Sequence, residues 1–96
     1  MATTSLPFDP ADFIKTADDA AFFLSEALAT GDTALIADAL GILARLKGMT
    51  ALARETGLSR ESLYRSLSRT GNPELATLIK VARALGLSLA AKPLQA

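Results

Sequence analysis

The 96 residues carry ten Lys and Arg against ten Asp and Glu, a formal net charge of zero, and include no Cys, His or Trp. That inventory excludes a disulfide framework, a thiol nucleophile, an imidazole base and a zinc site of the usual ligands. Divided at Arg45 the neutrality disappears: residues 1–44 hold one base and seven acids, net −6, and residues 45–96 hold nine bases and three acids, net +6. An asymmetry of this size reads as a basic surface for a polyanion and a separate acidic surface.

The length suits a single domain over residues 1–96, small enough for dimerisation to add to a modest core. The longest uncharged stretches, such as Ala84–Ala91, run to only eight residues, far short of the roughly 20 that span a membrane. The N-terminus lacks a basic region followed by an apolar core, so no signal peptide is expected and the location expected is cytoplasmic. Nineteen Ala and seventeen Leu against five Val or Ile favour an all-α fold.

Pro7 and Pro10 bracket an irregular first segment in which Leu6, Phe8 and Phe13 can tether to the core. Asp9, Asp12, Asp18 and Asp19 lack the glycine-turned loop and closing Glu of a calcium-binding hand. Thr16 offers an N-cap, with Asp18 and Asp19 in the first turn where the helix dipole favours acids. Ala20, Phe23, Leu24, Ala27 and Leu28 then recur at the spacing of a buried helical face. Gly31 is a stop and Asp32 a new cap, followed by a stripe of Leu35, Ala39, Ile42, Leu43 and Leu46. Residues 1–48 thus form an N-terminal helical segment.

Shorter pieces follow. Thr50 is expected to cap a helix over Ala51–Glu55, Gly57 to turn the chain, and Ser59 to cap a second helix through Leu67. Asn72-Pro73 reads as the start of a closing helix over 73–86, with Leu75, Leu78, Ile79, Ala82 and Leu85 as its apolar stripe. The alternation of Leu87-Ser88-Leu89-Ala90 is compatible with a short C-terminal strand. The expectation is five helices.

Residues 49–68 carry the functional signal. Two short helices about a glycine turn match a helix-turn-helix. Ala53 lets the helices approach, Gly57 can take a left-handed conformation, and Leu52, Leu58, Leu63 and Leu67 fix the angle between them. Thr56 departs from the apolar residue often found before that glycine. On the outer face of the second helix, Arg60 and Arg65 can fork onto guanine and Glu61 can accept from cytosine. Tyr64 can meet a phosphate or a thymine methyl. Ser59 completes that face, Thr50 lies where backbone amides meet a phosphate, and Arg45, Lys47, Arg54 and Arg69 flank it as phosphate contacts. The competing reading is a plain α-hairpin with solvated arginines.

The helix-turn-helix followed by NPELATLIKVARALGL resembles the Cro and phage-repressor class of DNA-binding domains. From Phe8 to Leu89 the chain is similar to the addiction-module antidote proteins, small HigA-like antitoxins, above all in SRESLYRSLS followed by GNP. The resemblance implies the antitoxin of a type II toxin–antitoxin pair, binding a RelE/ParE-like toxin and repressing its own operon. It places DNA contacts on Ser59, Arg60, Glu61, Tyr64 and Arg65, with Thr50 at the backbone. A homodimer on a palindromic operator is expected, since one short helix reads few bases. The acidic half is the expected face for the toxin. Two alternatives stand beside this: a free-standing or prophage repressor with no toxin, and a toxin-binding module that does not read DNA. No cofactor is expected. Nor is an enzyme, because no acid–base pair or partnered nucleophile appears at recognisable spacing.

Overall fold

The computed structural model describes residues 9–94, and local start and stop signals set most of the helix boundaries within them. Asp9 followed by Pro10 opens α1 (Pro10–Phe13), the Asp9 carboxylate accepting from the Ala11 amide at 3.0 Å. Proline at the first helical position loses nothing there, because its missing N–H would have had no intrahelical partner. This one-turn helix replaces the irregular segment expected there. Ile14 packs against the core and Phe13 lies more exposed beside it; Leu6 and Phe8 lie outside the described residues.

Thr16 caps α2 (Ala17–Thr30) as expected, and Asp19 completes a reciprocal capping box. The Thr16 hydroxyl accepts from the Asp19 amide at 3.1 Å, and the Asp19 carboxylate accepts from the Lys15 and Thr16 amides at 2.9 and 3.1 Å. The Lys15 amide, ahead of the bonds to Thr16, holds the Asp19 carboxyl below its ordinary pKa. Gly31 ends α2 in the left-handed region, and the Asp32 carboxylate caps α3 (Thr33–Lys47) through the Ala34 and Leu35 amides.

Gly48 then does two jobs. Its amide donates to the Ala44 carbonyl and closes α3, while its own carbonyl accepts from Leu52 and opens α4 (Met49–Thr56). A φ of 106° makes this junction a glycine position. Thr50 is therefore not the cap expected of it; it sits inside the first turn of α4. Ser59 does cap α5 (Arg60–Ser66), its hydroxyl accepting from the Ser62 amide at 3.0 Å. The final helix, α6 (Leu75–Ala84), begins after Glu74 and not at Asn72-Pro73. A Cβ at Gly71 would run into the Arg65 and Ser66 carbonyls, so the loop before α6 lies against the end of α5. Residues 85–94 continue without a strand, and among the described residues the count is six helices and no strand in place of five helices.

The core gathers around α3, which touches α2, α4, α5 and α6. Leu40, Leu52, Leu63, Leu67 and Val81 are fully buried, drawing α3, α4, α5 and α6 onto one centre. Because α3 is covered on several sides, Ala37, Leu40, Gly41 and Ala44 are buried as well as the expected Ala39 and Leu43. Of the apolar stripe expected at α6, Ala82 is buried and Leu78 and Leu85 pack against the core, joined by Val81, whereas Leu75 and Ile79 are exposed. No described helix is long and apolar enough to cross a membrane.

At Gly41, α3 comes close to the end of α5: a Cβ there would run into the backbone carbonyl of Leu67. Helix propensity alone would make Gly41→Ala stabilising by about 1 kcal/mol. The clash is with backbone, which cannot swing aside, so the substitution is expected to destabilise by about 1–3 kcal/mol. Thermal and urea melts read the sign, and a higher melting temperature would contradict this packing.

Candidate nucleic-acid interface

The second of the two short helices owes its orientation to its buried side. Leu63 and, at the C-cap, Leu67 are buried to 0% and 1% exposure. At about 100° per residue, Ser62, Leu63 and Ser66 fill the inward side of α5. Arg60, Tyr64, Glu61 and Arg65 then fall together on an outward arc of about 140°, and all four are exposed. The four candidate base-reading side chains thus occupy one contiguous face.

Within that face the groups are partly pre-arranged. The Arg60 guanidinium lies over the Tyr64 ring, 6.0 Å from its centroid, a cation–π contact one helical turn apart. Ser59 spends an acceptor site on its cap but keeps its hydroxyl proton to donate. The serines of the inward side close on their own helix, Ser66 donating to the Ser62 carbonyl at 2.8 Å. They compete for nothing outside it.

The turn between α4 and α5 has two locks. Gly57 sits at φ 77°, the left-handed conformation the sequence requires of it. Thr56, the departure from an apolar residue, supplies the other. Its hydroxyl donates to the Leu52 carbonyl at 2.7 Å and accepts from the Leu58 amide at 3.2 Å. A hydroxyl bridge across the turn thus stands in for apolar packing at that position. Sequence reasoning noted Thr56 only as an irregularity; a hydroxyl one residue before a turn glycine is the signal that could have revealed it.

Thr50 is exposed near the start of α4. No side chain caps that helix. The first-turn amides of Met49, Thr50 and Ala51 therefore keep their hydrogen-bonding capacity at the positive end of the helix dipole. Arg69 stands apart from the α5 face, in the loop beyond it, with its guanidinium 4.0 Å from the Asp38 carboxylate of α3. Lys47 pairs with Glu55 at 3.5 Å. Both pairs are solvent-facing and contribute little to stability. Arg45, Arg54, Arg60 and Arg65 have no carboxylate partner among the described residues. No group of His, Cys, Asp and Glu among those residues is arranged to hold a metal ion.

Residues 4–93 match the family described as "Probable addiction module antidote protein". A relative from Haemophilus influenzae, itself described as an uncharacterized protein, is 44% identical over 80 residues, which is 83% of this chain and 82% of the relative. No solved structure matches the chain.

Replacing Thr56 by Val keeps the shape and removes both hydrogen bonds of the turn. Urea unfolding is expected to show a loss of about 1–2 kcal/mol. Unchanged stability would mean that the hydroxyl bridge contributes nothing.

Proposed function

The chain belongs to the family of probable addiction module antidote proteins, and on that premise we propose that it is a HigA-like antitoxin that also reads DNA. Membership of an antidote family implies a cognate toxin as partner. In the proposed reading the 96 residues act as one domain, α4 and α5 serve as a phage-repressor-type helix-turn-helix, and the toxin is RelE/ParE-like. A homodimer binds the operator of its own operon and represses it.

The observation that carries the DNA reading is the outward arc of α5: Arg60, Glu61, Tyr64 and Arg65 exposed together behind a fully buried Leu63. A helix presented this way fits the major groove. There arginine can bond both O6 and N7 of guanine, and a carboxylate can accept from the cytosine amino group. The uncapped amides at Met49–Ala51 would meet a phosphate and set the register, a role that carries no sequence information. Arg45, Arg54 and Arg69 would add salt-dependent affinity. Arg69 would do so by leaving Asp38, a weak contact to give up. Two copies related by a two-fold axis would double the bases read.

Gel shifts on the upstream region of its own operon test the proposal. Arg65→Ala is expected to weaken specific binding by about 1–3 kcal/mol, and wild-type affinity is expected to fall steeply as salt rises. Unchanged affinity in the variant would remove Arg65 from the base-reading set. No shift at all would leave a toxin-binding module that does not read DNA.

A further inference from the structure

Away from α4 and α5, an open groove of about 560 Å³ lies among α1, α2 and α3. Its floor is apolar. Phe23, Leu35 and Ile42 line it half-buried, and Phe22 stands beside them 69% exposed. An exposed phenylalanine is ordinary on its own; one bordering a continuous apolar groove marks a surface suited to a partner.

The rim is acidic. Asp19, Glu26 and Asp38 border the groove, and no Lys or Arg is among the described residues that line it. Glu26 has no ion pair among the described residues, and Asp38 has only the 4.0 Å contact with Arg69. Asp19 accepts from backbone amides that stabilise its ionised form. Lys15 acts on Asp19 and Arg69 on Asp38, so the described residues compensate the rim's negative charge only in part, and Glu26 least.

We propose that this groove is the docking site for a basic segment of the partner protein, which seats an apolar side chain against Phe22 and Phe23 and sets Lys or Arg against Glu26 and Asp38. The inference rests on the antidote reading, which requires a protein partner, and adds where that partner sits and what it presents. Charge complementarity selects the occupant. Nucleic acid would be repelled by the rim. A second copy docking groove to groove would bring like carboxylates together.

Isothermal titration of the full chain with the purified protein encoded by the adjacent reading frame tests this, using wild type, Phe22→Ala and Glu26→Arg. Operator gel shifts, thermal melts and sedimentation are run on the same proteins. Each substitution is expected to weaken partner binding by about tenfold or more, with melting and operator binding unchanged, since both side chains are exposed and far in sequence from α5. Tight binding by wild type and both variants alike would overturn the groove while the antidote reading stands. No binding by wild type would overturn that reading and the groove with it. A wild-type dimer that Phe22→Ala dissociates would assign the groove to a second copy and overturn the inference as well.

Discussion

The close approach of α3 to the end of α5 is the constraint on which the rest of the molecule depends. At Gly41 there is no room for even a methyl group between the α3 backbone and the Leu67 carbonyl. That contact sets the distance from the central helix to the outer one. Leu40, Leu52, Leu63 and Leu67 fill the space around it without exposure above 1%. Interiors packed this closely hold one geometry, because small displacements lose many contacts at once. The outward arc of α5 is the other side of that packing: with Leu63 fixed inward, the periodicity of the helix leaves Arg60, Glu61, Tyr64 and Arg65 no place but outside.

The same helix, α3, divides the molecule electrostatically. Its N-terminal half packs against α2 and contributes Leu35 and Asp38 to the acidic groove, while its C-terminal end carries Arg45 and Lys47 toward α4. Among the described residues, Asp38–Arg69 is the ion pair that joins the acidic half of the chain to the basic half. It is long and exposed, so it hardly ties the halves together. It does set a base of the proposed DNA-binding half beside a carboxylate of the groove. A cation docking at Asp38 would compete with Arg69, and a phosphate drawing Arg69 away would leave Asp38 uncompensated.

What was legible in the sequence was local. Thr16, Asp32 and Ser59 cap helices as expected because each cap needs only an oxygen and amides two or three residues on. Asp9-Pro10 carried the same signal, and α1 could have been anticipated from it. Thr50 and Asn72-Pro73 failed as helix starts because of how the preceding helix ends. Gly48 is fixed by the end of α3, and the loop at Gly71 is pressed onto α5. The face of α5 was readable from the spacing of Leu63 and Leu67. The burial of Val81 in place of Leu75 and Ile79 was not, because it depends on which neighbours α6 meets. The groove and the Asp38–Arg69 pair were equally hidden, since both exist only once separate helices have been brought together.

Amide chemical-shift mapping of the full chain during titration with operator duplex tests the central claim most directly. The account predicts the largest changes at Met49–Ala51 and at Ser59–Arg65, with the groove residues Phe22, Phe23, Glu26 and Ala27 scarcely moved. Changes centred on α2, or an α5 face that does not respond, would contradict it.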